Sequence, residues 1–102
     1  MNNTKYKIRV AGDETTYILD YIRNEYFEDM GDHIKITLYI TYEFKDFEKF
    51  ADRRQLTSAC KRYHNDNGVT CTSYKHAYIA SYEKVPMNSM FDGSKIVIEA
   101  YV

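Results

Sequence analysis

The longest regular pattern of apolar and polar residues runs from His33 to Tyr42. Every second position is apolar or aromatic, and the positions between are mostly polar. Alternation over such a length, in residues that are largely β-branched or aromatic, predicts a half-buried strand. One face must pack on a core. The other, formed by Lys35, Thr37, Tyr39 and Thr41, is a secondary candidate for a partner surface.

Two further segments have strand patterns. Lys5–Val10 alternates apolar residues with three bases, and the repeated positive charge favours an edge position. Lys95–Val102 has apolar residues at both parities, which predicts a central strand.

Thr15–Asp29 is interpreted as a helix. Ile18, Ile22 and Tyr26 recur at a spacing of four, as on one helical stripe. Asp13 is a candidate N-cap and Gly31 a candidate C-terminal cap. Acids continue to the end of this segment, where the helix dipole disfavours them.

A second helix is expected from Asp46 to Asn65, with a break in its apolar pattern. Phe47 and Phe50 fall on one side of the helical wheel, whereas Leu56, Ala59, Cys60 and Tyr63 fall on the opposite side. The helix either bends near Asp52–Arg54, which we prefer, or continues with each half packing on a different neighbour.

Val69–Val85 is strand-like but longer than an ordinary strand. It is either one strand bent near Ser73–His76 or a hairpin. A loop is expected from Pro86 to Ser94.

The predicted order is therefore β-α-β-α-β(β)-β. It corresponds to an α+β fold, with a mostly antiparallel sheet of four to five strands and two helices on one face. A chain of 102 residues is expected to form one compact domain over residues 1–102.

Charge is balanced overall, at −1, but unevenly distributed. Residues 13–32 contain seven acids and one base, and residues 53–84 contain six bases and two acids. The acidic segment is a candidate partner-binding face, for which we select Asp20, Glu25, Glu28 and Asp29.

No pattern indicates catalysis, a cofactor or a metal, so we expect a protein that is not an enzyme. Cys60 and His64 are four residues apart without further catalytic elements, and the three histidines are scattered. The two cysteines form no motif. With no signal peptide or membrane-spanning run, the sequence predicts a cytoplasmic protein with reduced thiols.

Nucleic-acid binding is an alternative function. A basic helix and a tyrosine-bearing strand face would contact phosphates and stack on bases. The residues selected for this surface, which could equally bind a protein, are Arg53, Arg54, Lys61, Arg62, Tyr74, Tyr78 and Tyr82.

The chain also carries 11 tyrosines and no tryptophan, and tyrosine is frequent at protein interfaces. With its size, its Tyr- and Lys-rich composition and the run Lys5–Tyr17 leading into an acidic helix, the chain resembles small phage and mobile-element anti-CRISPR proteins that act on type II-A systems. The resemblance implies an inhibitor that binds the CRISPR-associated effector nuclease or its guide-RNA complex in the bacterial host cell. It would block guide-RNA loading, target-DNA binding or cleavage without a cofactor, as a monomer or a homodimer.

Overall fold

The computed structural model describes residues 4–9, 17–43, 55–56, 60–65, 69–74, 76–87 and 92–101. Over these ranges the chain forms nine strands and no helix. The predicted α+β class is therefore wrong, and the described fold is all-β. A second sheet, instead of helices, covers the apolar face of the main sheet.

All strand pairs are antiparallel and form two sheets. The small sheet has the order β2-β1-β6-β7 and consists of β1 (Lys5–Ile8), β2 (Tyr17–Leu19), β6 (Cys60–Asn65) and β7 (Val69–Tyr74). The large sheet has the order β3-β4-β9-β8-β5 and consists of β3 (Ile22–Asp29), β4 (Ile34–Ile40), β5 (Gln55–Leu56), β8 (His76–Pro86) and β9 (Asp92–Tyr101).

Strand β4 confirms the prediction for His33–Tyr42. Ile36, Leu38 and Ile40 are fully buried, and the residues between them are partly exposed. Strand β9 pairs with both β4 and β8, so the predicted central position of the last strand is also confirmed. Strand β1 is confirmed as a strand, but it lies between β2 and β6 and is not an edge.

The two sheets enclose one apolar core. Tyr6, Ile8 and Leu19 of the small sheet belong to the same buried cluster as Leu38 and Ile98 of the large sheet. Fully burying an aliphatic side chain of this size contributes roughly 1.5–3 kcal/mol. A polar contact also joins the sheets, because the Tyr6 hydroxyl donates a hydrogen bond of 2.5 Å to Oε2 of Glu25 on β3.

The predicted first helix is wrong over its described part. Its residues form β2 and β3, and the chain crosses between the sheets at Asp20–Tyr21. Tyr21 adopts a left-handed backbone conformation with φ of 52°. The three residues whose spacing indicated a helical stripe do not share a face: Ile18 is exposed on β2, Ile22 is buried, and Tyr26 is exposed on the outer side of β3.

Gly31 is not a helix cap. It lies in the turn between β3 and β4 with φ of 95°, a conformation that glycine adopts without steric penalty.

The predicted second helix is also wrong where the structure describes it. Gln55–Leu56 and Cys60–Asn65 are strands β5 and β6. Residues 44–54 lie outside the described ranges, so the predicted break near Asp52–Arg54 is not tested.

Val69–Val85 forms two strands in different sheets, so it is neither one strand nor a hairpin. Strand β7 pairs with β6 in the small sheet, whereas β8 pairs with β9 in the large sheet, so the chain changes sheet near the predicted bend. The loop expected from Pro86 to Ser94 is wrong at both ends, because β8 extends to Pro86 and β9 begins at Asp92, and residues 88–91 lie outside the described ranges.

Two β-bulges change which face the side chains occupy. The register shifts between Ile22 and Asn24 in β3, and between Ile79 and Ser81 in β8. Each extra residue, Arg23 or Ala80, reverses the alternation of the residues that follow it.

Replacing Gly93 should test the close packing of β9 against β4. A Cβ at this position would collide with the main-chain oxygen of Ile40 and with the side chain of Met87. Since the strand backbone cannot easily move away, Gly93→Ala should lower the free energy of unfolding by about 3 kcal/mol, measured by urea denaturation.

Gly31→Ala is the matched control for this substitution. A Cβ at Gly31 would have no atom within 4 Å, so only the backbone conformation is strained. The expected loss is about 1 kcal/mol. Equal losses in the two variants would contradict the close approach at Gly93.

Candidate partner-binding site

Strand β3 is the edge of the large sheet, and it exposes apolar side chains. Tyr26 and Phe27 on β3 are 57% and 51% exposed, and Met30 in the following turn is 46% exposed. Among the described strands, β3 has a neighbour only in β4. A long edge with exposed aromatic residues is a common protein-binding element.

The register assigns the side chains of β3 to two sides. Glu25, Phe27 and Asp29 pair with the core-facing residues of β4 and so lie on the inner side. Tyr26 and Glu28 pair with Thr37 and Lys35 and lie on the outer side.

An open cleft of about 810 Å³ lies at the inner side of this edge. Its described lining combines two carboxylates with aromatic and aliphatic side chains, namely Phe27, Asp29, Gly31, Asp32, His33, Ile34, Thr72 and Tyr74. The β3–β4 turn and the end of β7 thus form its walls.

Short-range hydrogen bonds determine the shape of the turn. The Met30 amide donates to the carbonyl of His33 at 2.9 Å, and the Gly31 amide donates to Oδ1 of Asp29 at 2.9 Å. Oδ1 of Asp32 lies 2.6 Å from Nδ1 of His33. The His33 ring stacks on Tyr101 of β9, with 4.6 Å between centroids. The turn is therefore held against the end of the central strand β9.

The carboxyl group of Asp32 is held in its charged form. The hydrogen bond from His33 lowers the pKa of Asp32, although partial desolvation acts against it. The cleft therefore carries a negative charge at neutral pH.

Two aromatic pairs lie on the outer side of the large sheet. Tyr26 and Tyr39 form an edge-to-face pair at 6.0 Å, as do Tyr78 and Tyr101 at 6.2 Å. Nζ of Lys95 lies 6.0 Å from the centre of the Tyr39 ring. Tyr26 on the outer side of β3 thus belongs to one aromatic pair, and the Tyr78–Tyr101 pair is separate from it, near the other end of β9.

The four acids selected from the sequence do not share one face. Glu25 and Asp29 lie on the inner side of β3, and Glu28 on the outer side. Asp20 lies at the crossover between the sheets and interacts with Tyr42. The structure therefore brings only Asp29 into the cleft, beside Asp32, which the sequence had not singled out.

The basic and aromatic set is also dispersed. Lys61 and Arg62 belong to strand β6, and Arg53 and Arg54 lie outside the described residues.

The three tyrosines do not form the predicted stacking face. Tyr74 is buried in the core, and Tyr82 pairs with the core-facing Ile96. Tyr78 pairs with Glu99 on the outer side, because the bulge at Ala80 separates it from Tyr82.

Sequence reasoning missed Phe27, Asp32 and His33 as members of a site. The available signal was Asp29-Met30-Gly31-Asp32, a run typical of a hairpin turn between two strands. It was interpreted instead as the end of a helix.

Comparison with protein-family models, curated proteins and solved structures gives no match to this chain. Within the described ranges, no three His, Cys, Asp or Glu side chains form a group that could hold a metal ion. The same ranges contain no helix of the length and apolarity that crossing a membrane requires.

The phenol of Tyr42 should make stability depend on pH in alkaline solution. Burial is the main cause that raises the pKa of Tyr42 to about 12. A backbone hydrogen bond with Asp20 lowers the pKa, whereas the charge of Asp20 and its side-chain hydrogen bond raise it further. The unfolded phenol loses its proton near pH 10.0, before the folded one does, so stability should fall between pH 10.0 and about 12.

Tyr42→Phe is the control for this effect, since other tyrosines and lysines titrate in the same range. Urea unfolding across that range should show a steeper loss for the natural protein than for the variant. Parallel losses in the two proteins would mean that Tyr42 is not responsible.

Proposed function

We propose that this protein is a non-enzymatic inhibitor of a type II-A CRISPR nuclease and that it binds the nuclease through β3 and the β3–β4 turn. The observation that supports this most directly is the exposed edge of β3, where Tyr26, Phe27 and Met30 lie among acids. The proposal places the protein in the cytoplasm of the bacterial host cell.

The chemistry of such a nuclease suits this edge. The channels that hold guide RNA and target DNA are positively charged, because they must bind phosphates. Glu28, Asp29 and Asp32 are exposed acids that could occupy such a surface. Exposed aromatic residues beside them supply the apolar contacts that dominate binding energy at protein interfaces.

The structure changes the form of the acidic element, in which Glu28 and Asp29 are exposed whereas Asp20 and Glu25 are partly buried. The resemblance to anti-CRISPR proteins included an acidic helix, and the described part of that segment is a pair of strands. Exposed acids on an edge strand support the same mode of inhibition. An edge strand is also the place where an extended segment of a partner can add to a sheet.

The alternative of direct nucleic-acid binding has less support. It depended on a stacking face of Tyr74, Tyr78 and Tyr82, and the fold buries the first and separates the other two. The acids around β3 would also repel phosphates.

Co-elution with the nuclease is the central experiment. Size-exclusion chromatography with a type II-A nuclease, with and without guide RNA, should show a complex with at least one of these forms. The inhibitor should also reduce target-DNA cleavage in proportion to complex formation. Absence of co-elution with both forms would overturn the proposal.

A double variant should identify the contact surface. Tyr26→Ala with Glu28→Lys changes two exposed side chains on the outer side of β3, and we expect affinity to fall roughly tenfold or more. Glu83→Lys is the matched control, since Glu83 is an exposed acid on β8, away from the edge. Equal effects of the two variants would exclude β3 as the contact.

A further inference from the structure

We propose that the cleft beside the β3–β4 turn binds the side chain of an arginine in an extended basic segment of a partner. This extends the proposed function, because a basic partner would supply the arginine. The inference requires that the protein acts by binding a partner, as the proposed function states. It does not require that this partner is the nuclease.

Charge is the first reason for this choice. Asp29 and Asp32 both line the cleft, and no lysine or arginine is found in its described lining. Their hydrogen bonds with Gly31 and His33 both involve Oδ1, so Oδ2 of each carboxylate is not used in these contacts. A guanidinium group donates from several N–H groups in one plane and suits such a pair of acceptors.

The walls of the cleft are the second reason. Phe27 is about half exposed although it pairs with the fully buried Ile36, so part of its ring faces the open space. Tyr74 and Ile34 line the same cleft. A guanidinium plane stacks favourably on an aromatic ring, and the methylene groups of arginine pack on aliphatic surface.

The same features disfavour other ligands. Two carboxylates would repel a phosphate or another anion. The cleft, at about 810 Å³, is far larger than a site for a bare metal ion, and it is open enough for a side chain to enter. Lysine would satisfy the charge but lacks the flat group that matches both the carboxylates and the ring.

The position of the cleft is the third reason. It lies beside the edge of β3, where a peptide can add as a further strand. An extended segment paired with this edge would direct every second side chain toward the inner side of the sheet. An arginine at one of these positions would enter the cleft that Asp29 and Asp32 line.

A peptide titration tests the inference without any nuclease. The probe is the blocked tripeptide acetyl-Thr-Arg-Thr-amide, and its control replaces arginine by citrulline, which is neutral and has nearly the same shape. In ¹H–¹⁵N correlation spectra the arginine peptide should shift the amide signals of Gly31, Asp32 and His33, with a Kd of about 1 mM. The citrulline peptide should bind at least about tenfold more weakly.

Variants separate charge from fold. Asp29→Asn and Asp32→Asn keep an acceptor for Gly31 and His33, and together they should weaken binding roughly tenfold or more. Phe27→Ala should weaken it while leaving both charges in place. Glu83→Gln, an exposed acid on β8, should have no effect.

Several outcomes would overturn the inference: equal binding of the two peptides, shifts confined to residues outside the cleft, or full affinity in the double Asn variant with a well-dispersed spectrum. Peptide binding without nuclease binding would reject the proposed function and retain the cleft. Nuclease binding without peptide binding would retain the proposed function and reject arginine binding in the cleft.

Discussion

The apolar inner face of β4 and β9 is the constraint on which the rest of the structure depends. Ile36, Leu38 and Ile98 are fully buried and would expose a large apolar surface if the large sheet stood alone. The small sheet provides the cover with Tyr6, Ile8 and Leu19. The small sheet packs on this inner face, and among the described strands β3 keeps β4 as its single neighbour. The exposure of β3, and so the candidate site, follows from this arrangement.

The sequence was sufficient where one side of a strand is buried along its whole length. Strand β4 alternates without interruption, and β9 is apolar at both parities because it is central, so both were predicted correctly. Thr15–Asp29 failed because its apolar residues belong to two strands in different sheets, joined at Tyr21. Beyond Ile22, β3 has no fully buried residue and therefore shows no strand alternation. Across the whole of Thr15–Asp29, eight of fifteen residues are β-branched or aromatic, and that composition was the better guide.

The candidate site was less predictable than the fold. An acidic binding element was expected, and exposed acids do lie along β3, but the cleft depends on which residues meet across strands. Asp29 and Asp32 line the same cleft because the chain turns at Gly31 between them, and Tyr74 of the small sheet also lines it. The bulge at Ala80 could not be read from the alternation of β8. The position of this extra residue depends on how β8 pairs with β9, and the sequence pattern along β8 alone carries no information about that pairing.

The pairing of β4 with β9 has a consequence for how the chain folds. Strands β3 and β4 are joined by a short turn and can pair early. The pairing of Ile34 with Ala100 and that of Tyr6 with Arg62 join residues that are far apart in the sequence. Contacts between residues distant in sequence slow folding, because the chain loses entropy before it gains interactions. β9 is also the last described strand to be synthesised. The hairpin of β3 and β4 would therefore exist for a time with an uncovered apolar face, and the acids along its edge would then keep nascent chains apart.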